Sequence, residues 1–314
     1  MSTHVSPSAH SHVEQDHRSI VVGVDHRGRS VSAVVWAVEE AEHTGSSLRL
    51  VSAVSHGPTG RPSAVQHDVA ALARRLTVRK LDHRDVVGSP VDVLLEAAAE
   101  GDLLVVGCRS LQTTQRLVLG STSRAVATWT PVPVVVVPEA WMQPSMAAAP
   151  IVAGIRSTAA HDDPVHGSDE EVLTFALLRA RRLRVPMVVV SAFEPPYLST
   201  WSPADLKALQ ASHDAALHTR LAPWRESNPD LEIAANAVMA PADRAILDAS
   251  RMGQLTVVGR HHAGTLTGTL GSTVRGVLNG IATPVAVVPA GTREALRREL
   301  ALRRAADHPW SPTY

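Results

Sequence analysis

The chain has 314 residues, with lysine plus arginine equal to aspartate plus glutamate at 30 each, so no long-range field marks it as a binder of nucleic acid or of an anionic membrane. A single cysteine, Cys108, excludes an intrachain disulfide and a cysteine-rich zinc site, and aromatics at 3% disfavour a protein that stacks single-stranded bases. No apolar run reaches the length of about 18 residues that a membrane span needs, and the N-terminus lacks a signal-peptide layout, so cytoplasm is the expected compartment.

Residues 1–18 are polar and histidine-rich without apolar periodicity, and are expected to be a disordered leader; His4, His10, His12 and His17 read as a solvated tail, since their spacing implies no rigid ligand set. Ser19 to Asp25 (SIVVGVD) is a buried strand that delivers Asp25 at its end, and SVSAVVWAVEEAEHTG is a helix with Val31, Val34, Val35 and Val38 on one stripe and Gly45 as its stop. LRLVSAV, residues 48–54, is a second strand, followed by a Gly/Pro loop and a helix from about Ser63 to Leu76. A weaker, exposed edge strand is expected over Val78 to Val87, and then Gly88-Ser89-Pro90 turns into the helix VDVLLEAAAE, with Ser89 as N-cap and Pro90 at the first helical position.

Leu103 to Pro138 then reads strand, loop, helix, strand: an apolar run ending in Gly107, a polar loop to Gly120-Ser121-Thr122, a short helix stopped by Thr130-Pro131, and a valine strand. Nearly the same sentence recurs from Leu255 to Pro289, so the chain carries two copies of one device. After a linker over 140–149, the second copy repeats the order of strands and helices over 150–290, and a tail over 291–314 carries an arginine-rich helix from Thr292 to Ala306. The first unit is 19–139. The offset between copies is 131 positions at Gly23 and Gly154 but 152 at Gly107 and Gly259, so about 21 residues enter the second copy; Arg156 to Gly167 and the segment around Glu194 to Pro203 are the places that absorb them.

Strands alternating with helices predict an α/β fold of two doubly wound domains, each a five-stranded parallel sheet of order 3-2-1-4-5 with helices on both faces. The apolar fifth strands, 132–137 and 285–288, would invite aggregation as free edges, so they are expected to pair with each other. In such sheets the ligand crevice lies outside the carboxyl ends of strands one and four, where strand order reverses. Asp25 and Gly107 end those strands in the first half. Ser110 lies in the loop, and Gly120-Ser121-Thr122 opens a helix whose first amides, hydroxyls and dipole favour an anion. A carboxylate, close-approach glycines and a phosphate cradle around one cavity suit a nucleotide better than a sugar. Neither a Walker loop nor a Gly-x-Gly-x-x-Gly fingerprint is present.

These residues resemble a tandem universal stress protein, two domains of that family in one chain. The resemblance rests on VVGVD, LRLVSAV, VVGSPVDVLLEAAAEGDLLVVGC, GSTSRAV and PVPVVVVP in the first half, and on VVGRHHAGTLTGTLGSTVRGVL and TPVAVVP in the second. It implies Rossmann-like domains of the adenine nucleotide alpha hydrolase type. It also points to the ATP-binding branch, whose loop runs Gly, two residues, Gly, nine residues, Gly-Ser/Thr. Here Gly107, Ser110 and Gly120-Ser121 keep the spacing with one glycine replaced by serine. Carried over, the resemblance places Asp25 at the ribose or a nucleotide-bound Mg2+, the backbone near Ala53 at adenine, and Gly107, Ser110, Gly120, Ser121 and Thr122 at ribose and phosphates, with Val106 among the cofactor-binding residues.

The second copy departs from this pattern. Arg156 stands where Asp25 stood, His262 replaces the second glycine, and eight residues instead of nine separate His262 from Gly271. Its weaker site comprises Arg156, Ala192, Gly259, His262, Gly271, Ser272 and Thr273, and ATP is expected chiefly in the N-terminal half. Cys108 reads as a small filler, His261 and His262 as loop residues, and Arg109, Arg116 and Arg124 as solubilising surface. The resulting expectation is a nucleotide-responsive regulator of stress or dormancy that takes ATP, alone or with Mg2+. It meets unidentified protein partners, binds neither nucleic acid nor membrane, and forms an intrachain pseudo-dimer, with a homodimer of the whole chain left open. No catalytic residue is assigned. A slow ATP hydrolase or kinase-like enzyme and a non-nucleotide interaction scaffold are the competing readings.

Overall fold

The computed structural model describes residues 18–25, 30–54, 81–110, 117–118, 120–142, 148–156, 168–195, 200–260, 270–280 and 282–291. The expected leader, the helix from Ser63 to Leu76 and the helix from Thr292 to Ala306 lie outside these residues. In the first half the strands are β1 (Ser19–Gly23), β2 (Ser47–Val54), β3 (Leu81–Val87), β4 (Leu103–Ser110), β5 (Leu117–Val118) and β6 (Val134–Pro138). Its helices are α1 (Val31–Thr44), α2 (Pro90–Ala99) and α3 (Ser121–Trp129). The second half has β7 (Ile151–Arg156), β8 (Met187–Phe193), β9 (Ile233–Met239), β10 (Leu255–Arg260) and β11 (Val285–Pro289), with helices α4 (Ser168–Leu183), α5 (Pro203–Glu226), α6 (Ala242–Ser250) and α7 (Ser272–Gly280).

Among the described residues, ten strands run side by side in the order β3-β2-β1-β4-β6-β11-β10-β7-β8-β9, with the short β5 antiparallel to β4 off that path. Read from either edge, each half gives the expected 3-2-1-4-5 order. The fifth strands meet as expected: β6 and β11 pair antiparallel, Val285 opposite Val136 and Val287 opposite Val134. Both are fully buried. Their backbone groups are satisfied within one chain, and among the described residues the ten-strand path ends in β3 on one side and β9 on the other.

The apolar residues do not divide into one core per half. They form two clusters, one on each face of the continuous sheet, and each draws on both halves. One cluster joins Ile20, Val34, Trp36 and Leu48 of the first half to Ile155, Leu173, Phe175 and Leu217 of the second. The other joins Val21, Leu94, Val106 and Val126 to Ile246, Val258, Val274 and Val277. Strand alternation sends successive side chains to opposite faces, so a sheet running through both halves sorts its core by face.

Where α1 and α4 meet, the internal repeat becomes asymmetric. Gly45 (φ 67°) ends α1 and Arg184 (φ 55°) follows α4, both left-handed, and Ser46 N–H and Val185 N–H bond back to the carbonyls of Ala41 and Ala180. Aligned on those ends, Glu40 and Arg179 occupy equivalent positions. They bind each other: Arg179 donates to Glu40 Oε1 at 3.1 Å, and Arg182 reaches the same oxygen at 3.2 Å, all three side chains being at most 7% exposed. Arg179 also lies 3.4 Å over the Phe175 ring. Two copies of either half alone would place like charges at this buried position, so the charge pattern favours the half-with-half pairing that the single chain makes.

Some boundaries differ from the reading of the sequence. The third strand is described from Leu81 to Val87, its expected start at Val78 lying outside the described residues, and the fifth begins at Val134 instead of Val132, because Thr130 Oγ1 binds the backbone of Val132 and holds it in a turn. Ser89 occupies the N-cap of α2 but its hydroxyl makes no cap bond. Part of the second half's extra length is structured: α5 is 24 residues long and opens with a capping box between Ser202 and Asp205.

Candidate functional site

The carboxyl ends of β1 and β4 lie side by side, Gly23 opposite Val106, and open onto a crevice of about 540 Å³. Its walls include Asp25, Ala53, Val106, Gly107 and the start of α3 from Gly120 to Thr122, so the structure brings together most of the first-half residues named from the sequence. Ser110 is the last residue of β4. Residues 111–116 of the loop lie outside the described residues.

Each of these groups is placed by a local cause. Asp25 follows β1, whose register on β2 continues through Val24 N–H to Val51 O at 2.9 Å. Ser30, at the N-cap of α1, gives its helix no side-chain cap; its Oγ instead accepts from Asp25 N–H at 2.9 Å and lies 3.5 Å from Asp25 Oδ1. The serine hydroxyl thus fixes the backbone of the carboxylate at the crevice mouth. Ala53 and Ser52 point to opposite sides of β2. Ala53 faces the crevice, while Ser52 is turned to the other face, where its Oγ lies 3.2 Å from His83 Nε2. Asp85 lies 3.5 Å from that same ring nitrogen, so Ser52, His83 and Asp85 do not form a relay, which needs the acid on the other nitrogen.

The crevice floor explains Gly23. A β-carbon there would stand 3.0 Å from a Leu94 methyl and 3.3 Å from Val106, so the glycine admits the α2 side chain that closes the base of the pocket. At the cradle, Gly120 has no side chain to cap α3, and the first-turn amides remain directed outward. A β-carbon on Gly120 would meet nothing within 4 Å, and its φ of −58° is ordinary. Ser123, which the sequence reading passed over, donates to the Gly107 carbonyl at 2.8 Å and clasps the cradle helix to the strand end. Its only sequence signal is a third hydroxyl in the first turn. Cys108 is 4% exposed, and burial, then the Glu139 carboxylate, pushes its thiol up to about 12, in keeping with a filler. Arg109 adds a cation at the rim.

In the second half the strand ends superimpose by register, Gly154 lying opposite Val258 as Gly23 lies opposite Val106. By register and sequence order Gly259 lies near the end of β10, Ala192 lies in β8, and Gly271, Ser272 and Thr273 stand at the start of α7, while His262 lies outside the described residues. The chemistry differs. Arg156 Nε lies 3.6 Å from Asp169 Oδ2, and Arg220 donates to the same oxygen at 3.0 Å and to the Arg156 carbonyl at 3.2 Å. Asp169 is 4% exposed, so the strand tip that carries a carboxylate in the first half carries an arginine engaged with a buried acid in the second. Val274 replaces Ser123, and the clasp between strand and helix has no counterpart there.

Among the described residues no group of three or more histidine, cysteine or acidic side chains could hold a metal ion, and no helix is long and apolar enough to cross a membrane.

Comparison with known proteins agrees with this architecture. The model of the universal stress protein family matches residues 17–138 and again 161–289. The chain is 28% identical over 280 residues to a universal stress protein of Mycobacterium tuberculosis, covering 81% of this chain and 92% of that one. It is 28% identical over 290 residues to one of Mycobacterium bovis, covering 85% and 96%. The fold is shared with a functionally unknown protein of Pseudomonas aeruginosa PAO1 (TM-score 0.66, 20% identity, 92% of this chain and 98% of that one). A universal stress protein from Archaeoglobus fulgidus shares it too (TM-score 0.60, 14% identity, 87% and 98%). With two family matches and two 3-2-1-4-5 sheets, the chain belongs to the universal stress protein family, in a tandem arrangement.

Proposed function

We propose that the N-terminal half binds ATP in the crevice between β1, β4 and α3, and that nucleotide occupancy governs which partner this cytoplasmic regulator meets under stress or in dormancy. The observation that carries the reading is one juxtaposition: a carboxylate, Asp25, and the uncapped start of a helix, Gly120-Ser121-Thr122, stand in the walls of a single crevice of about 540 Å³. That donor set suits a nucleotide, since the helix start offers amides and hydroxyls to phosphates and the carboxylate suits a ribose hydroxyl or a phosphate-bound Mg2+. Ala53 and Val106 supply apolar wall for a base, and the open space at Gly120 leaves the cradle clear. Ser110, at the end of β4, is assigned to the same cradle. The two units, 19–139 and 150–290, then act as one body with one nucleotide-competent half.

Mass spectrometry of ligand released from freshly purified protein, followed by calorimetric titration of ATP with and without Mg2+, tests this reading. Adenine nucleotide at near one equivalent supports it. A chain that releases none and gives no heat with ATP is an interaction scaffold instead, and nucleotide loss that scales with added protein and disappears in Gly120→Asp would make it an enzyme.

A further inference from the structure

The antiparallel junction of β6 and β11 places the start of β6 beside the end of β11, since Val134 lies opposite Val287. The helix α3 leads into β6. Its N-terminus therefore opens on the first half's crevice while its C-terminus, at Thr130, lies beside the strand ends of the second half. One side chain closes that gap. Arg260, the last residue of β10, donates from a terminal guanidinium nitrogen to the Thr130 carbonyl at 2.6 Å. By register Arg260 is the counterpart of Cys108, the residue that follows the strand-end glycine and lines the first crevice. The two positions are equivalent in the repeat but not in chemistry: a thiol is a weak donor, so an equally strong tie from the first half to the second cannot be made there.

The contact is built to last. Thr130 is fully buried, its N–H bonds to Val126 O and its hydroxyl to Val132 O, which leaves its carbonyl to the arginine. A cation at a helix C-terminus also meets the negative end of the helix dipole. Burial lowers the Arg260 guanidinium to about 10, still fully charged at neutral pH.

We infer that Arg260 is a positioning residue through which the C-terminal half sets the nucleotide affinity of the N-terminal half, by holding the far end of the helix whose near end is the phosphate cradle. This rests on the reading that the first crevice takes ATP. At the near end Ser123 fastens α3 to Gly107, and at the far end Arg260 fastens it to the other half. Losing either fastening lets the helix shift along or tilt against the sheet, and displacement by a few tenths of an ångström matters to hydrogen bonds with phosphate. By linkage, anything that draws Arg260 away from Thr130 weakens nucleotide binding, and bound nucleotide strengthens the tie.

The test compares full-length wild type, Arg260→Met, which keeps the apolar stem and removes the donor, and Arg260→Lys, which keeps a charged donor. Calorimetric titration with ATP is run beside hydrogen exchange over residues 121–130. Arg260→Met is expected to bind ATP on the order of tenfold more weakly, within the usual span of allosteric couplings, and to exchange faster over 121–130 but not over 47–54. Arg260→Lys should recover most of both. Unchanged affinity in Arg260→Met overturns the coupling, as does an equal loss in both variants, which would mark a packing defect. Unchanged exchange over 121–130 overturns the hold on the helix by itself. A wild type that does not bind ATP overturns the functional reading and the coupling with it, while the exchange data still decide whether Arg260 holds α3.

Discussion

The two halves of this chain share a backbone plan and differ in what their side chains do at the strand ends. In the first, the strand-end acid Asp25 is held by Ser30 at the mouth, and the cradle helix is clasped by Ser123. In the second, Arg156 joins Arg220 around the buried Asp169, and Val274 stands where the clasp would be. Duplicated architecture therefore does not duplicate side-chain chemistry: a few substitutions at strand tips and helix starts put a buried ion cluster where the other half has a carboxylate and a serine clasp, without altering sheet order. The packing glycines survive in both copies, because they answer to the fold. Gly23 admits Leu94, and at Gly154 a β-carbon would stand 2.6 Å from an Ile246 methyl.

The sharpest way to break the comparison is at the cradles. Gly120→Asp places a carboxylate against the phosphates at a position whose φ and surroundings tolerate a β-carbon, so ATP affinity should fall by about 1,000-fold with little change in melting temperature. Gly271→Asp should change affinity by no more than about twofold. Calorimetric titration of both variants decides it, and equal losses would show that the wrong half has been assigned. The next effect belongs to the strand ends of the second half. Asp169→Ala leaves Arg156 and Arg220 facing each other without the buried acid, and should cost about 3 kcal/mol in urea unfolding while ATP affinity stays near that of wild type. A large loss of ATP binding with normal stability would show instead that this cluster serves a ligand.

A smaller effect is expected at the first strand tip. Asp25→Ala should weaken ATP roughly tenfold in the presence of Mg2+ and less in its absence, since a carboxylate gains most from a phosphate-bound cation; titrations with and without the metal read the difference. The smallest effect is electrostatic. Burial raises the Cys108 thiol to about 12, so the folded state favours the protonated form. That stability is fully present below the unfolded thiol's ordinary value of about 8.5 and is lost as pH rises toward the folded value. The unfolding free energy from urea titrations should fall by roughly 1 kcal/mol more in wild type than in Cys108→Ala between pH 8.5 and 9.5. Parallel pH curves for the two proteins would show that the thiol is not buried in solution.

Much of this molecule could be read from residue order. Alternating apolar runs, Gly45 as a helix stop, and the repeated Gly-Ser-Thr and Thr-Pro-Val stretches are local signals, and they specify strands and helices because each acts within a few residues of its effect; the sheet order and the crevice at the strand ends follow from how alternating elements wind into a sheet. The pairing of fifth strands was legible too, since two apolar edges in one chain have an evident partner. What residue order could not show are contacts between groups far apart in the chain. Glu40 and Arg179 look like ordinary helix charges until α1 and α4 cross, Arg156 looks like a free cation for phosphate until Asp169 and Arg220 arrive beside it, and Arg260 looks like a rim residue until the antiparallel junction sets it against Thr130. The physical reason is that backbone preference and hydrophobic periodicity are properties of short segments, whereas the partner of a buried charge is chosen by the packing of whole elements. The sequence by itself determined the repeat, the places where a ligand could sit and which half carries a carboxylate at its first strand's end; the tertiary structure decided which arginine meets which acid, because that depends on how whole elements pack.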